Sequence, residues 1–100
     1  MCRRAITPER AWPSLLAAKL ASGGGSPPLA VLNLGLSGNR LLRHGFGVSA
    51  LTRFDRDVLG QAGVRWMTLM LGINDITFPA VPGMPSTEAV TADDIIWGLQ

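Results

Sequence analysis

Apolar and polar positions alternate along this chain between helix-like and strand-like spacing, with glycine and proline marking the changes. Ala11 to Ala21 (AWPSLLAAKLA) puts Trp12, Leu15, Leu16 and Leu20 near one face, and Pro13 suits a first-turn position, so a helix is predicted. Ser22 to Pro28 (SGGGSPP) is too rich in Gly and Pro for helix or strand and reads as a connector of ordinary length. Leu29 to Leu34 is nearly all apolar. A strand apolar on both faces belongs to a parallel sheet covered by helices. Gly35 to His44 is a turn with a helical start. Val48 to Leu59 is a helix with Leu51, Phe54, Val58 and Leu59 as its buried stripe, Arg53, Arg56 and Asp57 on the wet side and Asp55 at the margin. Gly60 to Gly63 ends it. Arg65 to Leu71 (RWMTLML) is a second buried strand, and Gly72 to Asp75 a second turn. Ile76 to Ser86, with Pro79, Pro82 and Pro85, is a loop. Thr91 then N-caps a last helix, with Asp93 and Asp94 in its first turn and Ile95, Ile96 and Leu99 starting its apolar face. The order helix, strand, helix, strand, helix predicts an α/β layered fold with a parallel sheet. Met1 to Glu9 has no clear pattern.

Composition narrows the reading. One hundred residues make one small domain or a piece of a larger one. Hydrophobic content of 47% excludes a disordered chain, while 16% charged is low against the usual level of about 25%. Cys2 is alone, so an internal disulfide is impossible, and no Cys/His cluster offers a metal site. A small domain without a staple is marginal, and together with the low charge this suggests that part of the domain is missing. The net charge is +2 and the arginines are scattered without interleaved aromatics, which argues against nucleic acid. No apolar run approaches the roughly 20 residues of a membrane span. Arg3 and Arg4 precede LLAAKLA as in a signal peptide, but Glu9, Arg10, Pro13 and Lys19 interrupt it, so that reading is rejected and the compartment stays open.

Two stretches carry candidate chemistry. VLNLGLSGNR (Val31 to Arg40) and LGIND (Leu71 to Asp75) share one build: a hydrophobic run stopped by glycine, then a small-plus-amide turn. In open α/β sheets ligands bind beyond the carboxyl ends of the strands, where both turns would lie. Gly38 lets its backbone N–H approach a substrate closely, and Asn74 carries an amide donor on a short stem. Two such donors converging on one point form an oxyanion hole, where losing one donor costs roughly 3–4 kcal/mol in the barrier. Spacing alone leaves another role open, since glycine and asparagine are also ordinary turn residues.

These residues resemble the SGNH, or GDSL-type, serine esterases. NLGLSGNR, Phe46 to Leu59 (FGVSALTRFDRDVL) and Gly72 to Ile76 (GINDI) carry the likeness, which extends to RAWPSLLAAKLA and VTADDIIWGLQ. It covers residues 11–100, with an irregular 1–10 ahead, so residues 1–100 are expected to form a partial domain of that type. By this resemblance Gly38 and Asn74 are oxyanion-hole donors, and the expected fold is an incomplete flavodoxin-like three-layer α/β/α sandwich. The implied chemistry is hydrolysis of carboxylic esters of small molecules, with no metal and no cofactor. Asn39, Arg40 and Asp75 are weaker substrate-binding candidates. Asn39 and Asp75 also suit loop stabilisation, and Arg40 also suits a solvated position.

The departures from the family pattern are as informative. The family's nucleophile lies in a GDS motif ahead of the helix matching Ala11 to Ala21; here Ile6, Thr7 and Pro8 stand where that region ends, and no GDS occurs. The family's base lies in a DxxH motif, absent here. Nucleophile and general base therefore have no counterpart, and the chain is expected to be inactive by itself. The family's first strand lies between the two strands retained. Without it, inward backbone groups lose their partners at about 1–3 kcal/mol each, so independent stability is not expected.

Ser37 with His44 and Asp55 or Asp57 could improvise a triad, but a turn serine and a surface histidine are the simpler roles. Trp12, Trp66 and Trp97 lie on separate elements and read as packing residues, as do Met67 and Met70. GLSGNR lacks both GxGxxG and a Walker lysine, which disfavours phosphate binding. The alternative to an esterase is a non-catalytic α/β binding or interaction module derived from one, self-associating through an exposed sheet edge.

Overall fold

A computed structural model describes residues 8–24, 27, 29–84 and 88–100. The irregular N-terminus before residue 8, part of the predicted connector (25, 26 and 28) and the part of the predicted loop at 85–87 lie outside the described residues. The chain divides into two compact units, Met1–Leu34 and Gly35–Gln100.

In the first unit a 3-10 turn, Pro8–Arg10, leads into α1, Trp12–Ser22. Ala11 adopts extended dihedrals, and its carbonyl accepts the first bonds of the helix from the amides of Ser14 and Leu15. Pro13 sits in the first turn, where its missing N–H removes nothing, and is buried. The predicted helix is present, shifted by one residue. Its predicted apolar face is not covered: Trp12, Leu15, Leu16 and Leu20 are exposed.

In the second unit, α2 (Ala50–Phe54) continues into a π-helical turn, Asp55–Leu59. The wide turn is closed by the Gly60 amide on the Asp55 carbonyl at 2.8 Å. Here Gly60 is needed for space, since a Cβ would stand 2.9 Å from the Arg56 carbonyl oxygen. Phe54 and Val58 of the predicted stripe are half-buried, but Leu51 and Leu59 are exposed, while Arg53 and Asp57, expected in water, are half-buried. The reason is a polar cluster described below. Next come α3 (Ile73–Thr77), a 3-10 turn (Phe78–Ala80) and α4 (Ala92–Leu99). The predicted loop therefore begins as helix: Pro79 lies in the first turn of the 3-10 segment, where proline is tolerated. Thr91 caps α4 as expected. Its hydroxyl accepts from the Asp94 amide, and the Asp94 carboxylate accepts from the Thr91 amide, a reciprocal capping box.

The parallel sheet is not formed. Among the described residues there is no β-strand, and the helices are the regular elements; one isolated bridge joins Gly45 and Gly47. This corrects the expected flavodoxin-like α/β/α sandwich. Leu29 to Leu34 and Arg65 to Leu71 run without strand assignment. An apolar run is stable as a strand only when a neighbour completes its ladder, and local sequence does not report the neighbour. Side chains meant for a sheet interior are consequently exposed, Trp66 and Met70 at 74% each. Leu41 and Ala50 are the buried apolar side chains among the described residues, apart from Pro13 of α1.

Candidate functional site

Leu36 to Asn39 forms a turn closed by the Asn39 amide on the Leu36 carbonyl at 3.2 Å. Gly38 takes φ +72°, a conformation other residues adopt at a cost. Asn39, fully buried, then spans away from the turn. Its Nδ2 donates to the Val48 carbonyl at 2.8 Å, and its Oδ1 accepts from Arg53 Nη2 at 3.0 Å. Arg53 also pairs with Asp57 at 2.8 Å, and Arg56 Nε bonds the other Asp57 oxygen at 2.6 Å. The hydrogen bonds from Arg56 and then Arg53 hold the Asp57 carboxyl down to about 2. This chain of contacts draws Arg53 and Asp57 inward.

The second turn approaches the same strip of backbone. Gly72, buried at φ +108°, opens α3. Asn74 Nδ2 donates to the Asn39 carbonyl at 3.0 Å. Asp75, fully buried, accepts the Leu41 amide on Oδ2 at 2.7 Å and the Leu42 amide on Oδ1 at 3.0 Å. From the other side the first amides of α2 are satisfied: Ala50 donates to the Arg40 carbonyl at 2.9 Å and Leu51 to the Leu41 carbonyl at 3.1 Å. Residues 39–42 thus have five backbone groups satisfied by α2 and α3 with no sheet involved. Helix α4 packs against both turns. A Cβ on Gly98 would come within 3.1 Å of Leu41 and 2.6 Å of Leu42, and Ile95 lies 3.5 Å from the Cβ position of Gly72.

The five residues singled out from the sequence are therefore brought into one region. Gly38 is half-buried beside the Asn39 carbonyl that Asn74 binds. Asn39 and Asp75 are fully engaged with other protein groups. Arg40 is buried, not solvated: Nη1 pairs with Glu88 at 2.6 Å, Nη2 donates to the His44 carbonyl, and the guanidinium lies 5.6 Å from the centroid of the Phe78 ring. Ser37 and His44 are not joined by a hydrogen bond among the described residues. His44 Nδ1 accepts from the Ser49 amide at 3.1 Å, and Ser49 in turn caps α2 through its hydroxyl.

Sequence reasoning missed the aromatic surroundings of Gly38. The position its Cβ would occupy is 3.3 Å from Phe46 Cβ and Cδ2 and 3.3 Å from Phe78 Cζ. The two rings meet edge-on, centroids 5.6 Å apart at 69°. Phe78 follows GINDIT directly, and continuing the second motif as a helix would have indicated it. Reading Ile76 onward as loop hid this.

A groove of about 420 Å³ lined by Leu42, Arg43, Leu51, Val90, Asp94, Trp97 and Gly98 includes none of these five residues. It is therefore separate from the two turns. Among the described residues no group of three His, Cys, Asp or Glu is placed to hold a metal, and no helix is long and apolar enough to cross a membrane.

The sequence profile of the GDSL-like Lipase/Acylhydrolase family matches residues 3–95. The chain belongs to that family. The resemblance read from SGN and GIND is thus shown over nearly the whole sequence, and with it a general esterase or acylhydrolase kinship whose substrates are esters. No curated protein matches the chain, and no solved structure does. In this GDSL-like chain the two motif turns meet through side-chain-to-backbone bonds, without the sheet expected to hold them.

Proposed function

We propose that this chain carries the oxyanion-stabilising part of an acyl-ester hydrolase. The Gly38 amide and the Asn74 side-chain amide are the donors, and the substrate is a carboxylic ester of a small molecule. The single observation that supports this reading is the Asn74 Nδ2 bond to the Asn39 carbonyl, one residue from Gly38. A primary amide has two hydrogens, so one fixes the side chain and the other is left to meet a negative oxygen. A fixed donor is effective because it needs no reorganisation as charge develops. No cofactor enters this chemistry. The 100 residues contain no GDS serine and no Asp-x-x-His, so the chain by itself does not complete an acyl transfer. Cleavage of p-nitrophenyl acetate tests this: background hydrolysis is expected, and turnover at an enzymatic rate would contradict it.

One observation favours a second reading, a non-catalytic binding module descended from an esterase. Asn39, Arg40 and Asp75 are committed to internal bonds, which leaves little of the turns for substrate. Titration with acetate, followed by the amide resonances of Gly38 and Asn74, separates the two. Shifts at both donors support the ester site, and silence at both supports the module.

A further inference from the structure

We propose that Phe46 and Phe78 form the wall against which the acyl group of the substrate lies, so that the site takes acyl groups of several carbons in preference to acetyl. This rests on the oxyanion reading of Gly38 and Asn74 and adds the substrate class. The wall stands where any residue other than glycine would carry its side chain, 3.3 Å from that position. An oxygen held by the Gly38 amide would lie about 3 Å from its nitrogen. An acyl chain of several carbons that leaves such a carbonyl on the Cα side of Gly38 runs toward the Phe46 ring.

The arrangement of the two rings supports a surface, not a plug. Phe78 is half-buried and backed by the Arg40 guanidinium at 5.6 Å, which is neutralised by Glu88 at 2.6 Å. It is therefore held in place from behind. Phe46 meets it edge-on and is 68% exposed, so most of its ring is open to a ligand. An exposed aromatic ring fixed against a second one offers apolar area at little conformational cost. The neighbouring Asn39 amide and both terminal nitrogens of Arg40 are engaged with protein groups.

Carboxylates serve as probes, since they present a negative oxygen together with the acyl chain alone. The 100-residue chain is titrated with sodium acetate and sodium hexanoate, following the Gly38 amide, the Asn74 side-chain amide and the Phe46 ring protons. Hexanoate is expected to bind roughly ten-fold more tightly than acetate, as four extra methylenes are partly covered by the wall. Phe46→Ala is expected to reduce hexanoate to the acetate level while leaving the acetate shifts at Gly38 and Asn74 in place, which also shows that the variant keeps the turn. Equal affinities with shifts at both donors would overturn the wall and leave the oxyanion reading standing. Shifts at neither donor with either acid would overturn both. A hexanoate preference unchanged in Phe46→Ala would overturn the assignment to Phe46.

Discussion

Asn74 donates its side-chain amide to the backbone carbonyl of Asn39 across 35 positions of sequence, at 3.0 Å. The adjacent Asp75 takes the amides of Leu41 and Leu42 on its two oxygens. The second motif turn thereby grips the first by alternating donor and acceptor along one strip of chain. The contact with Asn39 fixes one end of the strip beside Gly38, and the contact with Leu42 fixes the end under α4.

Removing the acceptor tests the grip. Asp75→Ala leaves the Leu41 and Leu42 amides without their partner in a buried place, at about 1–3 kcal/mol per group. The expected result is faster hydrogen exchange at both amides, with little change at α1. Asp75→Asn keeps one acceptor oxygen and should protect one amide better than the other. Unchanged exchange in both variants would show that the carboxylate is not what holds the strip.

Gly38 and Gly63 form a matched pair for backbone strain. Both have φ near +75°, at +72° and +79°, but a Cβ on Gly63 meets nothing within 4 Å whereas one on Gly38 meets both phenylalanines at 3.3 Å. Alanine at either position incurs the left-handed penalty of about 1–2 kcal/mol. Gly38→Ala should cost more than Gly63→Ala, the difference being contact with the rings, as read from the loss of helical signal in urea. Equal costs would mean that the rings yield freely.

Acid should loosen the polar cluster of α2 and the π-helical turn that follows it. Asp57 is held down to about 2 by Arg56 and Arg53, against about 3.9 for an unfolded aspartate. The folded chain therefore binds fewer protons between these values, and its stability is present above pH 4 and falls as pH drops toward 2. Asp94, lowered by the Thr91 amide and then the Thr91 hydroxyl, acts in the same direction at the cap of α4. Far-UV circular dichroism across this window should show the loss, and Asp57→Asn should flatten it. A profile that is flat in the parent chain would argue against the cluster.

The exposure of apolar side chains predicts a broad unfolding transition. With Leu41 and Ala50 as the buried apolar side chains of the second unit among the described residues, little surface is released on unfolding. The urea dependence should fall below the usual range of about 1–3 kcal/mol/M for small proteins. A sharp transition of ordinary steepness would show that the chain buries a full core.

The sequence alone was enough for the family, the first motif turn and the termini of several helices, because these depend on residues close together in the chain; the second motif, read as a turn, instead opens α3. Pro13 in the first turn of α1, Thr91 with Asp94 at the cap of α4 and Gly60 closing the π-helical turn after α2 are local chemistry. It also singled out Asn74, although the Asn39 carbonyl that it binds was not visible. Tertiary structure decided the rest. Whether Arg65 to Leu71 becomes a strand depends on a neighbour and not on its own apolar residues, and among the described residues it has none. Arg40 and Asp57 read as surface charges until Glu88, Phe78 and Arg53 surround them. The apolar wall beside Gly38 exists because residues 46 and 78 meet in space, and no period or motif in the sequence brings those two positions together.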